Sequence, residues 1–329
     1  MSPNPSLTRL HGVLVGHHSL RERPTGCTAV LCPEGTVGGV DVRGAAPGTR
    51  ETDVLAPHNS VPHVHAVLLS GGSAFGLDAA SGVMKWLEQQ GRGFPVGPVR
   101  VPIVPGAVIY DLGVGNPLIR PDLMSGWMAC EDASQAPVRT GNVGAGAGAT
   151  VGKVFGSHLA MKGGIGSAAL TVSGVTVAAL VVVNALGDVV DPTNGRILAG
   201  ARKTATGLEL QDTVGSQLQG LSTGLLSTGG NTTIGVIATD AVMNKSQAQR
   251  LAQMGHNGLA RTIRPVHTPW DGDTLFALGT GQSGLSADML LLSTLATEVT
   301  AMAVQNAMVS AHSLHLASGE WWPSAGDLK

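Results

Sequence analysis

The chain has 329 residues, 43% of them apolar and 13% charged, with 20 basic and 22 acidic side chains and a formal net charge of −2. That balance supplies no electrostatic reason to bind nucleic acid or an anionic membrane, while the apolar fraction allows a large core in one domain or two. A surface so poor in charge predicts burial between subunits, hence a homo-oligomer.

In chain order, Met1-Ser2-Pro3-Asn4-Pro5 lacks a basic-then-apolar signal pattern. Residues 13–18, 26–32 and 37–43 read as short strands. The three cysteines, Cys27, Cys32 and Cys130, are odd in number and lack metal-ligand spacing, which predicts reduced thiols in a cytoplasm. Cys27 and Cys32, five apart on one strand, should point to opposite faces. Residues 66–69 read as a buried strand and 74–90 as a helix, with Leu77, Ala80, Val83, Met84 and Leu87 on one face. A strand is predicted at 108–111. Residues 166–175 and 177–184 read as paired strands turning at Ser173-Gly174. The apolar stretch 175–186 is broken by Thr176 and Asn184 and is too short to span a bilayer. Residues 192–227 are polar and turn-rich, a surface excursion. A strand follows at 234–238, then a helix from 245 to 255 or beyond, capped by Asp240 or Asn244. Residues 267–274 read as a loop, 275–279 as a strand, 287–313 as a long helix and 320–329 as a tail. Strands come in runs with few helices between them, which favours α+β layers over a doubly wound parallel sheet.

Two glycine patterns fail as nucleotide sites. Gly144-Ala145-Gly146-Ala147-Gly148-Ala149 does not follow a buried strand, and no acidic residue stands near twenty positions on. Its continuation to Lys153 has Ala147 where a P-loop needs glycine, and Val154 where it needs a hydroxyl. The eleven histidines include His17-His18, His63-x-His65 and His312-x-x-His315, none in a convincing metal-binding arrangement.

The informative segment is Gly229-Gly230-Asn231-Thr232-Thr233-Ile234. A glycine pair, then Asn-Thr, then an apolar strand is the layout for a chain that cuts itself before a threonine. The freed α-amine can then act as base for the hydroxyl of the same residue; a glycine turn before a buried strand is the alternative. In His267-Thr268-Pro269-Trp270-Asp271-Gly272-Asp273-Thr274, an extended backbone would aim Asp271 and Asp273 to one side, able to orient a hydroxyl and steady an ammonium. A polar turn is the alternative there. Lys153 could hold a nearby amine neutral. Asn184, set in a valine run, needs buried partners and could donate to an oxyanion. Tyr110, the sole tyrosine, precedes Asp111 at a strand end.

Together with Pro24-Thr25-Gly26, Leu69-Ser70-Gly71-Gly72-Ser73, Val108-Ile109-Tyr110-Asp111 and the run from Gly144 to Val154, these segments resemble the DmpA-type aminopeptidase family in order and over nearly the whole chain. The similarity is greatest to its endo-type nylon-oligomer hydrolase branch. The family's aminopeptidases carry a serine nucleophile and Ser-x-Glu where this chain has Asp271-Gly272-Asp273. The resemblance implies a single domain with a layered αββα sandwich, self-cleaved between Asn231 and Thr232 into pieces 1–231 and 232–329. It implies Thr232 as nucleophile, Asp271 and Asp273 hydrogen-bonded around it, and Tyr110, Lys153 and Asn184 in the same pocket. It implies a tetramer of paired pieces and neither metal nor organic cofactor. The implied reaction is hydrolysis of linear amides, including 6-aminohexanoate oligomers, through an acyl-enzyme. An aminopeptidase or β-peptidase, an acyltransferase of the ornithine-acetyltransferase kind and an uncleaved scaffold are the competing readings.

Overall fold

The computed structural model describes residues 4–221, 230–286 and 288–328. Residues 222–227 of the predicted surface excursion, Gly229, the predicted first helical residue at 287, and the last residue of the tail lie outside them. Ten strands and four helices define the frame, in chain order β1 (Leu14–Ser19), β2 (Gly26–Leu31), β3 (Val37–Val42), β4 (Thr49–Arg50), β5 (Ala66–Ser70), α1 (Ala79–Gln89), β6 (Gly106–Val108), α2 (Leu123–Glu131), β7 (Gly164–Val172), β8 (Val175–Asn184), β9 (Thr232–Thr239), α3 (Lys245–Thr262), β10 (Thr274–Gly279) and α4 (Met289–Ser310). One sheet has the order β1-β2-β5-β6-β4 and the other β7-β8-β9-β10-β3. Neighbours are antiparallel except for β5 with β6 and β9 with β10, which are parallel.

The two sheets stack face to face with a helix pair outside each, the αββα sandwich that the family resemblance implies. Period two along the strands builds it. On β8, Ala178, Leu180 and Val182 join Val67, Leu69 and Ile109 in the core between the sheets. Val177, Ala179, Val181 and Val183 face the other way, onto Leu295, Val299 and Ala303 of α4. Both faces are covered, so β8 reads as an unbroken apolar run. Cys27 and Cys32 do lie on opposite sides: Cys27 packs under α1 and α2, Cys32 between the sheets.

Several boundaries differ from the sequence reading. The predicted helix at 74–90 begins as a 3₁₀ turn, Ser73–Asp78, after Gly72 takes a left-handed φ of 84°, and turns α-helical only at Ala79. Helix α2 was not foreseen. Its nine residues include an internal glycine, and its start is set by an Asp122–Ser125 capping box. The strand predicted at 108–111 ends at Val108; Tyr110 and Asp111 leave the sheet. The excursion holds a strand, Ile197–Ala199, and a short helix, Thr213–Leu218. Asn244 caps α3 through a box with Gln247, while Asp240 accepts from Thr176 N instead. The predicted tail contains Trp321–Trp322, which pairs with Leu314–His315.

No helix among the described residues is long and apolar enough to cross a membrane, and no group of three or more His, Cys, Asp or Glu among them could hold a metal ion.

Candidate active site

Thr232 is the first residue of β9 and is buried. It shares strand parity with Ile234, Val236 and Ala238, which line the core between the sheets, so its side chain faces the first sheet. Its hydroxyl donates to the carbonyl oxygen of Asn231. Asn184 ends β8 directly opposite Thr232.

Asn184 is wholly buried, and its amide is held on both sides. Lys153 Nζ and Thr150 N each donate to Oδ1 at 3.0 Å, while Nδ2 donates to the Tyr110 carbonyl at 3.0 Å. These contacts fix which way the amide points and leave one of the two Nδ2 hydrogens uncommitted by them. Lys153 also donates to Asn184 O at 3.0 Å and Gly230 O at 3.2 Å. Burial pulls the Lys153 ammonium down to about 7, although Asp271, Asp111 and Asp273 favour its charge.

Of the paired carboxylates, Asp273 holds the backbone next to Thr232 and Asp271 holds its own loop. Asp273 Oδ1 accepts from Thr233 N at 2.6 Å, and its Oδ2 accepts from His267 N at 3.2 Å with His267 Nδ1 at 2.8 Å. Asp271 Oδ2 accepts from Thr268 N at 2.8 Å and Thr268 Oγ1 at 2.6 Å. Neither carboxylate makes a hydrogen bond with the Thr232 hydroxyl, which is bonded to Asn231 O. Burial first, then the negative charge of Asp273, pushes the Asp271 carboxyl up. Between them, Gly272 N donates to Asn231 O at 3.0 Å.

A cleft of about 70 Å³ opens beside this bond, lined by Tyr110, Asp111, Lys153, Leu186, Asn231 and Trp322. Gly113, Ser157 and Trp322 also border a second cavity of about 350 Å³ that adds His158, Glu320 and Trp321. The six residues singled out from the sequence therefore meet around one peptide bond, Tyr110 through its backbone carbonyl and as part of the cleft wall.

Other groups were missed. Arg23 and Asp111 form a fully buried ion pair at 2.8 Å. Asp111 also accepts from Thr25 Oγ1 at 2.6 Å and Gly72 N at 2.9 Å. Arg23 donates further to Val114 O at 2.7 Å and Ile119 O at 2.9 Å. Their only trace in the sequence is position: Arg23 adjoins Pro24-Thr25-Gly26 and Asp111 follows Tyr110. Lys162, wholly buried, donates to Gly146 O, Ala149 O and Gly163 O at 3.0, 2.9 and 3.1 Å. Burial pulls it down to about 7. The glycine-alanine loop thus turns carbonyls toward a cation. Its amides at Gly144, Ala145 and Thr150 go to Ser19 Oγ, Thr28 Oγ1 and Asn184 Oδ1, so they form no phosphate cradle. Trp322 arrives from the predicted tail, with no local signal.

The architecture is that of the N-terminal-nucleophile hydrolases. An L-aminopeptidase D-Ala-esterase/amidase from Ochrobactrum anthropi superposes with a TM-score of 0.74 at 20% identity, over 98% of this chain and 91% of that one. A Burkholderia sp. beta-aminopeptidase gives 0.70 at 22% identity, over 99% and 92%. The sequence profile of peptidase family S58 matches residues 5–321, and the chain belongs to that family. An uncharacterized aminopeptidase of Mycobacterium tuberculosis is 48% identical over 290 residues, 84% of this chain and 81% of that protein. A 6-aminohexanoate-oligomer endohydrolase of Kocuria sp. is 32% identical over 305 residues, 88% and 81% of the two chains. Family and fold together make this protein an amide-bond hydrolase.

Proposed function

We propose that the chain is a self-processing amidohydrolase. It cuts its own Asn231–Thr232 bond, then uses the new N-terminal Thr232 to hydrolyse linear oligoamides such as 6-aminohexanoate oligomers. The observation that carries this reading is the bond itself. Asn231 lines the cleft, and the Thr232 hydroxyl behind it is already against the carbonyl it would attack.

After the cut, the α-amine takes the hydroxyl proton, because an N-terminal amine titrates near ~8, close to working pH. The Thr232 oxygen adds to the substrate carbonyl. The uncommitted Asn184 Nδ2 hydrogen is the donor for the oxyanion. The amine product leaves with the proton, and water releases the acyl group. Asp273 holds the start of β9 through Thr233 N, and Lys153 holds Asn184. Departure of Gly230 and Asn231 would enlarge the small cleft, since both line it. The larger cavity beyond, bordered by Trp321 and Trp322, suits a flexible chain with apolar spacers.

Preference for internal bonds is supported by Asp111. Among the described residues it is the one carboxylate lining the first cleft, and Arg23, Thr25 and Gly72 already engage it, leaving it poorly placed to bind a substrate ammonium. An aminopeptidase is the second reading. The mycobacterial relative's name favours it, as does Glu320 on the outer cavity, a carboxylate able to meet an amine. N-terminally blocked and free oligomers separate the two readings: an endo-acting enzyme cleaves both, an aminopeptidase only the free one. The nucleophile is tested by intact mass and amidase assay of Thr232→Ala, which should stay in one piece and be inactive. Amide hydrolysis by that variant would remove Thr232 from the mechanism. A cytoplasmic tetramer of paired pieces completes the proposal; exposed Phe75, Leu118, Leu290 and Val309 are apolar surface for such contacts, and light scattering measures the assembly.

A further inference from the structure

We infer that the backbone N–H of Gly272 is the oxyanion donor for the self-cleavage step, a role separate from that of Asn184 in substrate turnover. The inference rests on the proposed cut at Asn231–Thr232. In that step the Thr232 Oγ1–Asn231 C bond forms and the Asn231 C–N bond breaks. The hydroxyl proton passes to the departing Thr232 nitrogen, and water then opens the ester to an Asn231 carboxylate and a free Thr232. Between bond making and bond breaking, negative charge gathers on Asn231 O.

Two donors reach that oxygen in the uncut chain, Thr232 Oγ1 and Gly272 N at 3.0 Å. Thr232 loses its proton as it attacks, so it stops donating when the charge appears. Neither of the other nearby donors is bonded to that oxygen: Lys153 Nζ bonds Gly230 O, one residue upstream, and Asn184 Nδ2 bonds Tyr110 O. Gly272 N is the donor already on Asn231 O that keeps its proton through the attack.

Sheet register aims it. The parallel pairing of β9 with β10 begins at Ile234↔Thr274, and the same offset continues through an isolated bridge, Asn231↔Asp271. Gly272 N–H is therefore a ladder donor laid on the scissile carbonyl. Its loop is held from the other side, where Ala46 N donates to Asp271 O and Arg43 N to Asp273 O, both at 2.9 Å. A donor fixed before reaction needs no reorganisation as charge develops. Only glycine fits: a Cβ there would stand 2.6 Å from Ala46 O and 2.9 Å from Thr232 Oγ1.

The test exchanges one backbone N–H for oxygen in the full-length chain. Cell-free nonsense suppression with glycolic acid at position 272 replaces the amide with an ester of the same shape. The control is the hydroxy-acid analogue at Thr280, whose N–H makes a ladder bond to Thr239 O at 2.9 Å, remote from the cut. Near-UV circular dichroism checks that both proteins fold, and intact mass follows the appearance of the two pieces. The position-272 ester should mature about 100-fold more slowly than wild type, the size of effect seen on losing one oxyanion donor. The position-280 ester should mature at the wild-type rate. Equal maturation of the two esters would overturn the assignment while leaving the cut intact. A wild-type chain that stays in one piece would overturn the underlying reading instead.

Discussion

Buried charge at single residues dominates the site, and its energetics are open to measurement. Lys153 and Lys162 both sit near 7, down from 10.5, because burial penalises the ammonium. Between pH 7 and 9 the unfolded chain keeps those protons while the folded chain sheds them, so stability should rise with pH. Each lysine contributes at most about 1.4 kcal/mol per pH unit. Above pH 9 the trend should reverse, since burial pushes all three cysteine thiols up and only the unfolded chain releases those protons. Urea denaturation of uncut Thr232→Ala protein at pH 7, 8 and 9 reads the slope. Adding Lys162→Met should lower stability throughout and remove about half the slope. A slope unchanged by that substitution would mean the lysine stays charged. Arg23→Met should be more damaging, because it removes the guanidinium paired directly with the buried Asp111 carboxylate; a loss of about 3–5 kcal/mol is the scale for breaking a buried pair from one side. Arg23→Lys keeps the charge but not the fork of donors to Val114, Ile119 and Asp111, so it should recover only part of that loss.

At the level of elements, the close approach of α1 and α2 depends on two glycines. A Cβ on Gly82 would stand 1.8 Å from Leu123 O, and one on Gly126 would stand 1.8 Å from Ala79 O. Each helix rests its backbone on the other's glycine. Gly126→Ala should therefore destabilise the first-sheet side by about 1–3 kcal/mol through overpacking, although alanine is the better helix former. A midpoint unchanged in urea would show that the helices can part without cost. The same contact explains why α2 escaped sequence reading. Leu123–Glu131 is short and glycine-containing, so its helical state is supported by its cap and by packing more than by local preference. By contrast, β8 and α3 were legible. The apolar run ending at Asn184 reads as a strand and Asn244 as one of two possible caps; the structure adds the cover on both faces of β8 and the box of Asn244 with Gln247.

Across the whole molecule, cutting at Asn231–Thr232 would divide the chain without dividing the fold. β9 opens the smaller piece yet lies between β8, from the larger piece, and β10, while β3 from the larger piece pairs with the far edge of β10. The pieces share a sheet and both of its buried faces. They should co-elute in native chromatography after maturation and separate only in denaturant. Separation in plain buffer would contradict this interleaving. The break would also come at the end of a sheet, where freeing one terminus requires few ladder bonds to be lost.

What the sequence determined by itself was periodic or local. Short apolar runs placed the strands, a cap at Asp240 or Asn244 announced α3, and Asn231-Thr232 with Asp271-Gly272-Asp273 pointed to the proposed chemistry. These signals survive without tertiary context because backbone geometry repeats every two or 3.6 residues. Tertiary structure decided which distant groups assemble around the cleft and the Asn231–Thr232 bond. Arg23 pairs with Asp111, Lys162 gathers the glycine loop, Trp322 lines the cleft, and Gly272 N donates to the Asn231 carbonyl. Arg23, Lys162 and Trp322 have no local signature, and the motif that contains Gly272 does not show which carbonyl its N–H meets. Each follows from the register of strands far apart in sequence and from the stacking of two sheets, and those are set by the burial of the whole core.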